Sequence, residues 1–170
     1  KVVNIASRCA GFINKRFEGN LSHSLSEPTL FEEFIGKSAS IADKMENREF
    51  NHAMREIIGL ADKANQYIDE KKPWALAKEE GQEQQVHDIC TMGINLFRVL
   101  ITYLKPVLPE TAKQAESFLN ISPLQWADIP NPILNHGINK FKPLMTRIES
   151  DKIQSIQDDS TETMSTPIES

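Results

Sequence analysis

The chain has 170 residues, of which 39% are hydrophobic and 25% are charged, a composition typical of a globular protein with one domain. No apolar run is as long as a membrane span, and the two cysteines lack the spacing of a zinc site or a disulfide framework. The net charge of −5 argues against broad affinity for nucleic acids, yet residues 1–17 contain four basic side chains and no acidic one.

Hydrophobic residues recur at helical spacing along most of the chain, and no segment shows the alternation expected of a strand. The predicted helices cover residues 1–17, 28 to about 46, 49–69, 83–104 and 110–119, with a short helical turn at 74–80. The fourth helix is apolar on nearly all sides after Ile89, so we expect it to lie at the centre. The sequence therefore predicts an all-α fold, a bundle of about five main helices.

The last third of the chain is less regular. Residues 120–143 are rich in Pro and Asn and are predicted to be irregular, whereas residues 144–156 form a last amphipathic stretch. From Gln157 onward the chain is rich in Ser, Thr, Asp and Glu and cannot bury enough apolar surface to fold. We therefore expect a helical domain over residues 1–156 and a flexible acidic linker or tail over residues 157–170.

The polar face of the first helix contains groups suited to RNA. Asn4, Arg8, Gly11 and Lys15 fall within about 60° of one another at helical spacing. Asn has a donor and an acceptor, and Arg has a planar fork that can hydrogen-bond or stack, so both suit the edges of unpaired bases. Gly11 leaves room for a close approach by a sugar or a backbone, and Lys15 could bind a phosphate. An ordinary solvated helix face would show the same pattern.

Trp74 is the second candidate. Pro73 fixes the backbone before it, and Lys71, Lys72 and Lys78 are near it in sequence. An exposed and rigid indole beside lysines would form a stacking platform for a base. The alternative is that Trp74 packs in the core.

The remaining polar residues indicate no catalytic or metal site. The four histidines are far apart, and no Gly-rich phosphate loop is present. Adjacent acidic pairs such as Asp69 and Glu70 point apart on a helix, so we interpret them as solvated charges. Asn65 and Tyr67 are interpreted as structural residues that tie the third helix to the turn before Trp74, and Trp126 as an anchor for the irregular segment.

Four segments together resemble the anticodon-binding helical domain of bacterial-type methionyl-tRNA synthetases: VVNIASRCAGFINKRF, REFNHAMREIIGLADKANQYIDEKKPWALAK, INLFRVLITYLKPVLPETAKQAESFLN and FKPLMTRI. The likeness covers residues 1–148, and the N-x-x-x-R and N-x-Y-x5-PW elements carry it in combination. It implies that this chain is the anticodon-binding domain of a class I synthetase and that it recognises the CAU anticodon of tRNA(Met). The whole enzyme would be the ATP-dependent ligase that attaches methionine to this tRNA.

The resemblance also implies which residues contact the anticodon. Asn4 and Arg8 match the family's anticodon-contacting Asn and Arg, and Trp74 matches its stacking Trp, with Pro73 before it. Pro73, Lys15 and Arg16 are further candidates, and the two basic side chains could serve phosphates, bases or neither.

The implied partners are the tRNA(Met) anticodon stem-loop and a catalytic domain in the same polypeptide. The family's HIGH and KMSKS signatures and its zinc-binding insertion are absent from this sequence. We therefore expect no cofactor or metal in this chain and no activity from it alone. The resemblance implies that the longer protein uses ATP, Mg²⁺ and zinc in its other domains, lies in the cytoplasm and does not bind a membrane. Residues 141–156 could fold back towards the catalytic domain, and the tail could lead to a C-terminal domain that binds tRNA and forms a homodimer.

Two alternatives stay open. One is the helical domain of a related synthetase, such as the cysteinyl or valyl enzyme. The other is a helical protein-interaction bundle with no RNA role. That bundle would bury Trp74 and leave the face of Asn4 and Arg8 without a defined contact. The exposure of Trp74 and its distance from this face therefore distinguish an RNA-binding domain from a protein-interaction bundle.

Overall fold

Residues 1–142, which the computed structural model describes, form seven α-helices and no β-strand beyond one isolated bridge between Asn20 and Gly137. The helices are α1 (Val2–Arg16), α2 (Pro28–Ile35), α3 (Ser38–Glu46), α4 (Phe50–Lys71), α5 (Pro73–Leu76), α6 (Glu83–Leu104) and α7 (Pro109–Leu119). The prediction of an all-α bundle is confirmed. The predicted stretch at 144–156 and the predicted tail at 157–170 lie outside the described residues.

The second predicted helix is divided in two in the structure, at Gly36 and Lys37. Glycine is a poor helix former, because its backbone loses the most freedom when it becomes ordered. The N–H of Lys37 bonds to the carbonyl of Phe34, three residues back, which tightens the end of α2 before α3 begins. The predicted turn at 74–80 is also shorter as a helix, because α5 ends at Leu76.

Helix α6 is the centre of the bundle, as the sequence predicts. Every residue from Ile89 to Leu104 is buried, and α6 contacts each of the other six helices of the described chain. Its buried polar side chains bind the irregular segment that follows α7. The Asn95 amide donates to the carbonyl of Ile133 at 3.0 Å and accepts from the N–H of Ile133 at 2.7 Å. This pairing offsets the cost of burying a polar group.

Arg98 makes a second link between α6 and the irregular segment. Its guanidinium donates to the carbonyls of Asp128 at 3.1 Å and Ile129 at 2.8 Å. Burial lowers the pKa of Arg98 to about 10. The segment over residues 120–142 is thus bound to the core, although its one short helical piece is the 3₁₀ turn Trp126–Asp128.

The packing of α1 on α6 leaves no room for a side chain at Gly93. A Cβ atom built at this position would overlap the Sγ atom of Cys9, whereas the Cβ atom of Cys9 is 3.7 Å away. The cysteine sulfur is therefore the atom that requires a glycine on the facing helix.

We predict that Gly93→Ala lowers the free energy of unfolding by about 1–3 kcal/mol, because the added methyl group overpacks the contact between α1 and α6. Cys9→Ala in the same chain removes the obstructing sulfur and should recover part of this loss. Urea unfolding of the two single variants and the double variant measures the coupling. Additive effects of the two changes would contradict the assigned contact.

Candidate nucleic-acid interface

The first helix presents one polar face to solvent while its opposite face packs in the core. Its buried residues are Val2, Val3, Ile5, Ala6, Cys9, Ala10 and Ile13. Asn4, Gly11 and Lys15 are exposed and Arg8 is half-buried, in agreement with the arc predicted from the sequence. The core packing therefore determines which side chains α1 can offer to a partner.

Arg8 is held between two other helices. Its Cζ atom lies 5.2 Å from the centroid of the Trp74 ring, within the range of a cation–π contact. Its Nη2 atom donates to Oδ1 of Asp69 at 2.5 Å, and its Nη1 atom lies 3.4 Å from Oδ1 of Asn65. Because the Asp69 side chain is 63% exposed, this ion pair orients the guanidinium and contributes little to stability.

Trp74 is exposed beside Arg8. It retains 41% of its accessible surface and is the one large hydrophobic residue that is exposed among residues 1–142. The ring thus meets both conditions that separate an RNA-reading surface from a bundle with a buried indole: it is accessible, and it lies against the face of Asn4 and Arg8.

A rigid turn positions the Trp74 ring. Lys72 ends α4 in the left-handed conformation, with φ +50°, and its N–H bonds to the carbonyl of Ile68. Pro73 is buried and occupies the start of α5, where its fixed φ suits the first helical turn. The N–H groups of Ala75 and Leu76 bond to the Lys72 carbonyl at 3.0 and 3.1 Å. Pro73 thus fixes the backbone directly before the ring and is itself buried.

Asn65 joins α4 to α1. Its Oδ1 atom accepts from Nδ2 of Asn4 and from Arg8, both at 3.4 Å, and its Nδ2 atom donates to the carbonyls of Lys1 and Ala61 at 3.1 Å. Asn65 therefore ties α4 to the polar face of α1, whereas the sequence interpretation placed its structural role at the turn before Trp74. Tyr67 is buried, with its hydroxyl bonded to Ser26, and burial raises its pKa above the usual value.

The interpretation of Asp69 as a solvated charge agrees with its exposure but lacks its contact with Arg8. Asp69 lies one turn after Asn65 on α4, so the spacing of four residues was the available signal that both side chains share a face. No local sequence pattern predicts that this face of α4 lies against Arg8, which is 61 residues earlier in the chain.

Lys15 and Arg16 lie in the last turn of α1, and both are exposed. Lys15 is seven residues beyond Arg8, which corresponds to about 10 Å along the helix axis. Within residues 1–142, no carboxylate oxygen lies within 4.0 Å of the side-chain nitrogens of either residue, so neither forms an ion pair there. Their positive charge also suits the carboxyl end of a helix, a structural role that needs no partner.

The structure groups no other chemistry near this surface. In the described part of the chain, no set of three or more His, Cys, Asp or Glu side chains is placed to hold a metal ion. His87 and His136 contact the carbonyls of Asn20 and Leu119, both at 2.7 Å. None of the helices given above is long and apolar enough to cross a bilayer.

Comparison with known proteins identifies the family. The family model for the anticodon binding domain of methionyl tRNA ligase matches residues 19–163. Methionine–tRNA ligases from Francisella tularensis subsp. tularensis strain WY96-3418 and subsp. holarctica strain OSU18 are each 57% identical over 159 residues. Those matches cover 94% of this chain and 24% of each relative, so the chain spans about a quarter of the length of the curated relatives it matches.

Solved structures share the fold. The apo form of Mycobacterium tuberculosis methionyl-tRNA synthetase superposes with a TM-score of 0.73 at 17% identity, over 82% of this chain and 30% of that one. The same synthetase in complex with methionyl-adenylate gives a TM-score of 0.69 at 17% identity, over 82% and 29%. The fold, the family match over most of the sequence and the identity to the curated relatives agree: this chain belongs to the family of anticodon-binding domains of methionyl-tRNA ligases.

Proposed function

We propose that this chain reads the CAU anticodon of tRNA(Met) through Asn4, Arg8 and Trp74, as one part of a methionine–tRNA ligase. The observation that carries the proposal is the exposed Trp74 ring with the Arg8 guanidinium against it. The remainder of the ligase, acting in the cytoplasm with ATP and Mg²⁺, would contain the catalytic domain and a zinc-binding insertion. No residue of this chain takes part in forming the methionyl-adenylate.

Trp74 would supply stacking energy. A base laid on an aromatic ring gains about 1–3 kcal/mol, and any base can stack because every base has a π face. Since Arg8 covers one face of the indole, the base stacks on the other face. The turn at Lys72 and Pro73 holds the ring in place, so little side-chain freedom is lost when the RNA binds.

Arg8 and Asn4 would supply the base reading. A guanidinium has five N–H groups, and two of those of Arg8 are directed at Asp69 and Asn65. The remaining donors are available to acceptors on the edge of an unpaired base. Asn4 adds a donor and an acceptor one turn away, so the two residues together can distinguish bases that differ in their edge groups.

The charge distribution favours RNA binding at one face of the chain over non-specific RNA binding across its whole surface. Residues 1–17 carry four of the basic side chains and no acidic one, while the whole chain has a net charge of −5. Long-range attraction of RNA is therefore weak away from α1, and binding depends on the few residues of this face. Lys15, and with it Arg16, would bind phosphate next to the base-reading residues.

We predict that Trp126→Phe leaves a chain whose only indole, Trp74, changes its fluorescence when a CAU stem-loop binds. Trp74→Ala leaves Trp126 as the only indole, and its partly buried ring donates to the carbonyl of Ser38 at 3.3 Å. This second variant should bind about 5- to 150-fold more weakly, the equivalent of the stacking energy of one base. Fluorescence titration of the Trp126→Phe variant measures the first effect, and the fluorescence anisotropy of a dye-labelled stem-loop measures the affinity of both variants.

Thermal unfolding of the two variants is the control for misfolding. If Trp74→Ala folds normally and binds the CAU stem-loop with the affinity of the unchanged chain, the stacking role is wrong.

We predict that Arg8→Ala and Lys15→Ala weaken binding in different ways. Arg8→Ala should reduce the preference for CAU over single-base variants by about 1–3 kcal/mol, because the base-reading fork is lost. Lys15→Ala should weaken all stem-loops by a similar factor and flatten the salt dependence, because a phosphate contact releases counterions. The measurement is affinity for matched and mismatched stem-loops at two salt concentrations.

Lys113→Ala is the matched control, since Lys113 is an exposed lysine on α7, outside the interface. It should leave affinity and salt dependence unchanged. An equal loss for every stem-loop with Arg8→Ala would make Arg8 a phosphate contact instead of a base reader.

A further inference from the structure

Gly11 has no structural reason to be a glycine. It lies in the interior of α1, is exposed, and has no left-handed backbone conformation that would require it. A Cβ atom built there would meet nothing within 4 Å. Because glycine weakens a helix relative to alanine, the chain loses stability at this position and gains no packing from it.

The position of Gly11 on α1 is distinctive. At 100° per residue it shares the arc of Asn4, Arg8 and Lys15, one turn after Arg8 and one turn before Lys15. The helix backbone itself is therefore the surface between the Arg8–Trp74 contact and the basic end of α1. A strand that stacks a base on Trp74 and places a phosphate at Lys15 has to cross the helix at this point.

We propose that Gly11 is the position where the ribose–phosphate backbone of the bound RNA lies directly against α1. This inference rests on the proposed function, and it adds a positioning residue to the same surface. Peptide N–H groups in the interior of a helix are already hydrogen-bonded, so the contact is one of close packing. A side chain at this position would hold the strand away from both Arg8 and Lys15.

Gly59 provides a control within the same chain. It is an exposed glycine in the interior of α4, and a Cβ atom there would also meet nothing within 4 Å. It lies six residues before Asn65, about 9 Å along the helix axis. Substitutions at Gly59 should change helix stability as those at Gly11 do, without touching the RNA.

The test compares Gly11→Ala, Gly11→Gln, Gly59→Ala and Gly59→Gln in the full chain. All four should raise the midpoint of thermal unfolding, by about 1–4 °C, because each replaces an exposed helix glycine. Gly11→Gln should weaken binding of the CAU stem-loop by roughly tenfold, and Gly11→Ala by less, because the longer side chain displaces the strand further. Both Gly59 variants should bind as the unchanged chain does.

The stem-loops also separate this inference from the base-reading proposal. Because a backbone contact is independent of sequence, Gly11→Gln should weaken the CAU stem-loop and its single-base variants by the same factor. If the unchanged chain discriminates CAU but Gly11→Gln binds as well as Gly59→Gln does, the inference about Gly11 is wrong and the proposed function stands. If the unchanged chain shows no preference for CAU, the proposed function fails and this inference with it.

Discussion

The guanidinium of Arg8 is the group that joins the parts of the candidate site. It extends from α1, bonds to Asp69 and Asn65 on α4, and lies over the Trp74 ring at the start of α5. Two segments distant in sequence, α1 and the end of α4 with α5, thus meet at one planar cation. The Trp74 ring and the polar groups keep their relative positions only while α1 and α4 stay packed on α6, so the geometry of the candidate site depends on the hydrophobic core.

Much of the fold could be predicted from periodicity, because buried faces repeat at helical spacing; α6 spans the range expected from its apolar run. The break at Gly36 was not predicted, since the apolar stripe continues across it. Asn4, Arg8 and Trp74 stood out by residue type and spacing. The sequence pattern left the exposure of Trp74 open, because Pro before Trp suits a buried ring as well as an exposed one, and the Asp69 contact depends on tertiary packing.

The basic side chains near the candidate site differ in whether a carboxylate of the same chain forms an ion pair with them. Lys1 and Lys71 lie within 3.1 Å of the carboxylates of Asp62 and Glu27, so these cations are partly neutralised inside the chain. Lys15 and Arg16 have no such partner within residues 1–142. No ion pair within the described residues therefore neutralises the positive charge at the end of α1, which lies about 10 Å along the helix axis from Arg8.

The bonds from α6 to the irregular segment have a consequence for where this folding unit ends. A chain cut directly after α7 would keep every long helix described above, yet Arg98 would lose both of its carbonyl partners. Asn95 would lose the peptide group of Ile133 and keep the carbonyl of Thr91. A buried cation without a hydrogen-bond partner destabilises the folded state, and so does a buried amide oxygen without a donor. The minimal autonomous unit therefore has to include residues 120–133, although almost none of them is helical.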